Sequence, residues 1–339
     1  MKETLSTLAE KTGYSITTIS RVLSGKGEKH RISAETREKI LKAAQDNNYF
    51  PNIIAQSLRT NRTNTIGLLV PSVGNPFFAD IASSVIEEAR RRSYTTIVTD
   101  SAEDPEMEKS GLSSLLSRQV EGIIAIPSGD DPALYEEINN RVLPVILVDR
   151  YFSGSTLPYI TTNNYTGSVE GTAELVINGH SRIACIQGAI ASMPNKKRVA
   201  GYLAALEKAG IADGAVIVGN EFSVQNGYLE TKLLLNRSDR PTAIFALSNT
   251  IMLGAVRAIK EAGLKIPDDI SIIAFDNNMY MDYFTPAITR IAQPTEEMGK
   301  LATKLLFECI SSGRRSTTQI ELSPTLVRAE SVKRLATPR

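Results

Sequence analysis

The sequence predicts an all-α helix-turn-helix head followed by an α/β body of two doubly wound parallel-sheet lobes. Three observations carry this prediction. Two short helical patterns are joined by a glycine within residues 5–23, positive charge is concentrated in residues 1–64, and apolar runs alternate with amphipathic stretches from residue 65 onward. At 339 residues, 42% of them hydrophobic, the chain is long enough for two or three domains with their own cores.

The first helix of the head is predicted to begin after Thr4, which has the side chain of a good N-cap. Its Leu5 and Leu8 then turn inward. Gly13 follows where the turn between two crossing helices favours a residue that tolerates positive φ. This spacing predicts two helices in close contact.

Ser15 is the predicted N-cap of the second helix. The apolar face of that helix comprises Ile19, Val22 and Leu23. Thr17, Ser20 and Arg21 are left on the outside, near the end of the helix that could meet base edges in a DNA major groove. Ile16 fits either the edge of the core or a thymine methyl group. A two-helix hairpin with Arg21 merely solvated is the alternative.

The charge distribution favours the DNA-binding interpretation. Residues 1–64 carry 11 Lys and Arg against 6 Asp and Glu, a surplus of +5, whereas the rest of the chain sums to −4. A third helix is predicted from Ser33 to about Asn48, ended by Pro51. Its inward residues are Ile40, Leu41 and Ala44. The following segment, 52–62, is predicted to be a hinge between the head and the body.

The body alternates strands and helices. Predicted strands and helices of the first lobe are 66–70, 78–92, 95–99, 107–116, 122–126, 133–140 and 145–149. The second lobe repeats the order at 182–186, 195–208, 215–218, 225–235, 243–247, 251–262 and 270–275. Such alternation requires parallel sheets covered on both faces. Ligands of these sheets bind beyond the carboxyl ends of the strands, here where two lobes face each other.

Polar residues follow several of these strands. They include Asn75, Asp149, Arg150, Gln187, Ser248, Asn249, Asp276 and Asn277, and Arg198 opens a following helix. Each could be a helix cap or a loop residue, but their shared placement at one edge favours a binding site.

No catalytic or metal-binding constellation is visible, and no cofactor is expected. His30 and His180, the only histidines, fit structural roles. Cys185 and Cys309 lie in apolar runs and are expected to be buried thiols. No apolar run approaches the roughly 20 residues of a membrane helix, and no secretory signal is apparent, so a cytoplasmic protein is expected.

Taken in order, the motifs resemble the LacI/GalR family of bacterial transcription regulators over essentially the whole chain. The matching segments are 8–22, 33–37, 49–52, 55–58, 75–78, 148–150, 179–180, 198–201, 275–276, 293–299 and 322–328. The resemblance implies a periplasmic-binding-protein-like body and a homodimer, without the long C-terminal leucine heptad that would suggest a tetramer.

The resemblance also implies roles on DNA. Base contacts are expected from Ile16, Thr17, Arg21 and Leu58. Backbone contacts are expected from Ser15, Ser20, Arg31, Ser33, Tyr49 and Asn52. The hinge helices, with Ala55 and Gln56, would order on a near-palindromic operator, and the paired Leu58 side chains would open the minor groove.

In the body, the resemblance implies lobes that exchange segments. The expected division is a head at 1–49, a hinge at 50–64, an N-terminal lobe at 65–161 with 292–320, a C-terminal lobe at 162–291 with 321–334, and a tail at 335–339. Effector-binding residues carried over are Phe77, Phe78, Asp149, Arg198, Phe222, Ser248 and Asp276. This set of acceptors, donors and flat apolar walls favours a sugar-like ligand.

Two features depart from a simple sugar site. The family often has Asn-Asp where this chain has Ser248-Asn249, which removes a carboxylate. Lys196 and Lys197 beside Arg198 could favour a phosphorylated or acidic sugar, or could simply be a solvated helix start.

The expected function is sequence-specific transcriptional regulation, most simply repression, controlled by a small sugar-like effector between the lobes. A sugar-binding protein without a regulatory role and a phosphorylated or acidic sugar acting as corepressor are the alternatives. An enzyme is not expected. The sequence leaves open whether the effector releases the protein from DNA or recruits it.

Overall fold

The computed structural model describes residues 4–49 and 62–335, and the chain divides into two compact units, Met1–Thr63 and Asn64–Arg339. In the first unit, three helices are described: α1 (Leu5–Thr12), α2 (Ile16–Leu23) and α3 (Ala34–Asp46). The side chains of Thr4, Ser15 and Ser33 cap them, and Gly13 adopts a left-handed φ of 74°. The predicted caps Thr4 and Ser15 and the predicted turn at Gly13 are thus confirmed. Ser33, predicted as the start of the third helix, is its N-cap.

The core of this unit holds one face of each helix. Leu8, Ile19, Val22, Ile40 and Ala44 are buried, and Leu5 and Leu23 are half-buried against them. The prediction for Leu41 was wrong, because its side chain is 51% exposed. Neighbouring helical residues point about 100° apart, so a face that buries Ile40 and Ala44 leaves Leu41 outside.

Helix α3 also ends earlier than expected. It stops at Asp46, with Asn47 as its C-cap, and Asn48 turns to a left-handed φ of 49°. Pro51, which was expected to end this helix, lies outside the described residues.

In the second unit, the first sheet has the order β11-β5-β4-β3-β1-β2, with every neighbouring pair parallel. Its strands are β1 (Thr65–Val70), β2 (Thr95–Asp100), β3 (Ile123–Ala125), β4 (Val145–Val148), β5 (Tyr159–Thr162) and β11 (Gln319–Leu322). The helices beside it are α4 (Pro76–Arg91), α5 (Pro105–Ser117), α6 (Ala133–Arg141) and α11 (Thr295–Ser312). Apolar clusters cover both faces of the sheet.

The second sheet has the order β12-β10-β9-β8-β6-β7, parallel except for the edge pair β10 and β12. Its strands are β6 (Ile183–Ile186), β7 (Val216–Val218), β8 (Ala243–Ala246), β9 (Ser271–Phe275), β10 (Thr289–Ala292) and β12 (Thr325–Val327). Its helices are α7 (Asn164–Ile177), α8 (Met193–Lys208), α9 (Val224–Leu235) and α10 (Asn249–Glu261). The predicted pair of doubly wound lobes is therefore confirmed.

The chain passes between the two sheets three times, and the expected lobe limits are off by one or two residues. In β11 and β5, Leu322 pairs with Thr162, so both belong to the first sheet and not to the C-terminal lobe. Ala292 pairs with Thr325 in the second sheet. Continuous ladder hydrogen bonding fixes these limits, which residue patterns alone do not reveal. The expected tail lies outside the described residues except for Leu335.

No helix among residues 4–49 and 62–335 is long and apolar enough to span a bilayer.

Candidate functional site

In the first unit, the start of α2 presents an exposed surface. Ile16 is 47% exposed, and Thr17 and Arg21, one helical turn apart, are also exposed. Ser15 precedes them and is itself exposed, with Oγ accepting a hydrogen bond from the backbone N–H of Thr18 at 3.1 Å. Ser20 is half-buried. Ile16 therefore lies outside the core, on the side of the helix that can meet a partner.

The residues expected to contact a DNA backbone lie around this helix or outside the described residues. Arg31 is exposed with a left-handed φ of 57°, and the Oγ of Ser33 caps α3. Tyr49 is half-buried beside the head core, and burial raises the pKa of its phenol. The remaining members, Asn52, Ala55, Gln56 and Leu58, lie outside the described residues.

In the second unit, all seven residues expected to bind an effector line one cavity between the two lobes. The first lobe contributes Phe77, Phe78 and Asp149, and the second contributes Arg198, Phe222, Ser248 and Asp276. The cavity has a volume of about 20 Å³, room for roughly one water molecule. The lobes are closed onto these side chains.

Two aspartates face the cavity from equivalent turns. Asp149 directly follows β4 and Asp276 directly follows β9, and both have left-handed φ values, 61° and 80°. A left-handed φ is unfavourable for most residues. Glycine tolerates it best, and Asn and Asp come next. The turns aim both carboxylates past the ends of their strands.

The pKa values of both carboxyl groups are raised. Burial raises the pKa of Asp149 to about 6, partly opposed by Arg198 and Arg150. Burial likewise raises the pKa of Asp276, opposed mainly by Arg198. The two acids therefore carry their negative charges at a free-energy penalty that the neighbouring guanidinium groups only partly offset.

The two carboxylates differ in their hydrogen bonds. In Asp276, Oδ1 accepts from Nε2 of Gln293 at 2.6 Å and Oδ2 accepts from the backbone N–H of Asn249 at 2.8 Å. In Asp149, Oδ1 is buried and has no hydrogen-bond partner within the described part of the chain. Asp149 thus retains an acceptor for a donor group of a ligand.

Arg198 is held on three sides. Its Nε donates to Oδ1 of Asn164 at 2.7 Å, Nη1 donates to the carbonyl of Leu247 at 2.6 Å, and Cζ lies 4.0 Å from the ring centre of Phe275. Burial lowers the pKa of the guanidinium against the influence of Asp276 and Asp149. These contacts fix a buried cation between two acids.

Arg150 is a second cation at the cavity, and it is already paired. Its two terminal nitrogens donate to the two carboxylate oxygens of Glu103 at 2.6 and 2.7 Å. Its Cζ lies 5.5 Å from the ring centre of Phe78 and 5.8 Å from that of Phe222. The guanidinium thus contacts one aromatic residue from each lobe.

The apolar walls depend on close packing. The rings of Phe77 and Phe78 meet edge to face with centroids 5.3 Å apart. Phe222 lies so close to Gly188 that a Cβ at that glycine would fall 2.1 Å from Cε1 of the ring. Gly188 is therefore needed for the position of this wall.

Residues outside the seven carried over from the family also belong to the site. Asn75, Arg150 and Pro194 line the cavity, and Asn249 bonds to Asp276 behind it. Asn75, Arg150 and Asn249 are among the polar residues whose position after strands predicted a binding site, whereas Pro194 was not predicted. Lys196 and Lys197 are exposed and do not line the cavity.

His180 lies away from the cavity and has a structural position. Its Nδ1 bonds with the hydroxyl of Thr242 at 2.9 Å and its Nε2 with the carbonyl of Lys333 at 3.0 Å. Burial lowers the pKa of the imidazole. Cys185 and Cys309 are buried free thiols.

Comparison with known proteins gives a family match in each part of the chain, the head and the body. Residues 4–52 match the family described as bacterial regulatory proteins, lacI family, and residues 172–332 match a periplasmic binding protein-like domain. The HTH-type transcriptional regulator DegA of Bacillus subtilis is 34% identical over 99% of this chain and 100% of its own length. The ribose operon repressor of Haemophilus influenzae is 33% identical over 97% of this chain and 98% of its own.

Solved structures show the same architecture. The lac repressor dimer bound to operator and an anti-inducer aligns with a TM-score of 0.87 and 27% identity, covering 98% of this chain and 100% of that one. A regulator of this family from Enterococcus faecium with bound ribose aligns with a TM-score of 0.74 and 30% identity over 80% of this chain and 100% of that one. Relatives named as transcriptional regulators align over nearly the whole chain, which has a helix-turn-helix head and a two-lobed effector-binding body. This chain therefore belongs to the LacI family of bacterial transcriptional regulators.

Proposed function

We propose that this regulator represses transcription by binding a near-palindromic operator as a homodimer, and that an uncharged sugar-like molecule in the cavity between its lobes changes its affinity for DNA. In the head, Ile16, Thr17 and Arg21 read bases. The phosphate contacts are made by Ser15, Ser20, Arg31, Ser33, Tyr49 and Asn52. Such a regulator acts on DNA in the cytoplasm.

The observation that carries the effector class is the lining of the cavity. Acceptors, guanidinium donors and three phenylalanine rings converge there from both lobes. Sugars present ring hydroxyls to such donors and acceptors and their apolar C–H faces to flat walls. The unpartnered Oδ1 of Asp149 is the acceptor we assign to a ligand hydroxyl.

Charge favours a neutral ligand over an anionic one. Arg150 and Arg198 are matched by the carboxyl groups of Glu103, Asp149 and Asp276, so the cavity holds no surplus positive charge. The two lysines that could have attracted a phosphate are exposed, away from the lining. A phosphorylated or acidic sugar acting as corepressor is therefore the second candidate.

The small volume of the cavity supports a coupling between ligand and lobe arrangement. A sugar cannot enter about 20 Å³, so the lobes must separate to admit it and settle at an angle that depends on the ligand. Coupling of this kind typically amounts to about 1 to 3 kcal/mol and is reciprocal between the two sites.

Operator selection from random DNA, followed by anisotropy titration of the selected duplex with a panel of sugars, tests this proposal. The panel begins with ribose, because a relative is named for it and another is seen with it, and includes other neutral pentoses and hexoses, their phosphates and uronic acids. We expect one neutral sugar to change operator affinity about 5- to 150-fold, without turnover.

The alternatives give different results in the same assay. An operator response to a sugar phosphate or uronic acid alone would favour the acidic corepressor. Sugar binding that leaves operator affinity unchanged would indicate a sugar-binding protein without regulatory role. Chemical conversion of a sugar during incubation would indicate an enzyme.

A further inference from the structure

The side chain of Asn249 connects the two lobes immediately behind the cavity. This residue begins α10 and is fully buried. Its Nδ2 donates to Oδ1 of Asn75 in the opposite lobe at 3.0 Å and to Oδ1 of Asn278 at 2.7 Å. Its backbone N–H donates to Oδ2 of Asp276 at 2.8 Å. One residue therefore contacts both the opposite lobe and a carboxylate of the cavity.

The two oxygens that accept from Asn249 are fixed by bonds of their own. In Asn75, Oδ1 also accepts from the backbone N–H of Phe77 at 3.1 Å and so caps α4. In Asn278, Oδ1 accepts from the hydroxyl of Tyr280 at 3.3 Å. Neither amide can turn its nitrogen toward Asn249 without losing such a bond. The residue at position 249 must consequently supply two hydrogens, which an amide has and an ionised carboxylate lacks.

The surrounding charges also disfavour a carboxylate at this position. Asp276 lies directly beside Asn249, and Asp80 on α4 has a pKa raised by partial burial and by Asp276. The phenol of Tyr280 also interacts electrostatically with Asp276. Arg198 is the cation that lowers the pKa of Asp276. A third carboxylate would add repulsion between the lobes. The family often carries an acid at this position. In this chain, the neighbouring carboxylates of Asp276 and Asp80 favour an amide there.

We propose that Asn249 is a positioning residue whose neutral side-chain amide latches the two lobes in the closed arrangement, while its backbone N–H, which any residue but proline at this position keeps, holds Asp276 toward the cavity. The latch rests on the proposed function only in taking this cavity as the effector site. Losing it raises the population of open lobes and lowers the effector response, whatever the ligand is.

The test measures the distance between the lobes directly, in the full-length protein without ligand or DNA. Spin labels are attached to Asp130→Cys, after β3, and Asn220→Cys, after β7, which are exposed positions on opposite lobes. Pulsed electron paramagnetic resonance then gives the distance distribution. The native thiols, Cys185 and Cys309, are buried and do not compete for label.

Two variants remove the latch from opposite sides. Asn249→Ala deletes the donor, and Asn75→Ser keeps a good N-cap for α4 while its shorter side chain cannot reach Asn249. We expect each to raise the ratio of open to closed lobes about fivefold, as for the loss of one neutral hydrogen bond.

Two further variants separate a directional latch from general loss of structure. Asn249→Asp introduces a residue that suits the first turn of a helix, yet we expect it to open the lobes more than about tenfold, because the donor becomes an anion beside Asp276. Asn75→Asp adds a carboxylate to the same surroundings but keeps the cap and an oxygen that accepts from Nδ2 of Asn249, so we expect it to open the lobes less than Asn249→Asp. Asn140→Asp, an exposed change of the same charge, is the matched control.

Each variant is first checked for cooperative thermal unfolding, so that the distances refer to folded protein. Wild-type distances in both Asn249→Ala and Asn75→Ser would overturn the latch, as would equal behaviour of Asn249→Asp and Asn140→Asp. Because no ligand or operator enters the measurement, failure of the latch and failure of the proposed function are distinguishable.

Discussion

The guanidinium of Arg198 lies over the ring of Phe275, with Cζ 4.0 Å from the ring centre. Phe275 is the last residue of β9, and the next residue is Asp276, so one strand end supplies both an aromatic face and a carboxylate to the same cation. With Asn164 and Leu247 also bonded to it, Arg198 is placed by packing before any ligand arrives. The positive centre of the cavity is preorganised.

Replacing Arg198 with Met should destabilise the protein by about 3 to 5 kcal/mol, because two buried carboxylates lose their shared cation. Urea unfolding at neutral pH measures this loss. Lys196→Met, on the same helix but exposed, should change the free energy of unfolding by less than about 0.5 kcal/mol. Equal losses in the two variants would contradict the role assigned to the buried charge.

Stability should depend on pH through Asp149. Its pKa is about 6 in the folded state and near 3.9 in an unfolded chain, so the folded state binds more protons between about pH 4 and pH 6. Stability from this group is therefore greatest below about pH 4 and falls as the pH rises to about 6. Asp149→Asn should remove this slope and gain up to about 3 kcal/mol at pH 7.

Comparison of the two proteins by urea unfolding across this range isolates the effect of Asp149. His180, with a lowered pKa, and Asp276 are present in both, so their contributions largely cancel. Asp149→Asn should also bind the effector more weakly, because a neutral amide replaces the carboxylate that we assign as the acceptor of a ligand hydroxyl. Parallel stability profiles for the two proteins would count against a charged, penalised Asp149.

On DNA, Arg21→Ala should lose roughly 1 to 3 kcal/mol on the selected operator and relax its preference at one symmetric base pair. Arg31→Ala should weaken specific and random duplexes alike, because phosphate contacts carry no sequence information. Anisotropy titrations at fixed salt measure both. Equal losses of Arg21→Ala on operator and random DNA would remove it from the base-reading set.

Gly188→Ala should displace Phe222, since the new Cβ would lie 2.1 Å from its ring. The expected cost is about 1 to 3 kcal/mol in unfolding free energy, together with weaker effector binding as the wall shifts. Gly214→Ala, with no atom within 4 Å of its new Cβ, is the control. An unchanged effector affinity in Gly188→Ala would show that the wall does not contact the ligand.

Most of the elements were legible in the sequence because their signals are local. Caps at Thr4, Ser15 and Ser33 and the turn at Gly13 need only neighbouring residues, and most strands of both sheets are short apolar runs between helices. The segments β5, α7, β10, α11, β11 and β12 were absent from the predicted alternation. Two of these strands, β11 and β12, are only partly buried and form sheet edges, where an apolar run is weakest.

By itself, the sequence determined the modular order, the charge asymmetry and, through family resemblance, seven residues that the fold brings to one cavity. The tertiary structure decided how those residues are used. Gln293 and Asn249 occupy the oxygens of Asp276, Oδ1 of Asp149 stays unpartnered in the described residues, and Asn75 meets Asn249 across 174 positions of sequence. Hydrogen-bond partners depend on distances of about 3 Å, which only packing of the whole body fixes.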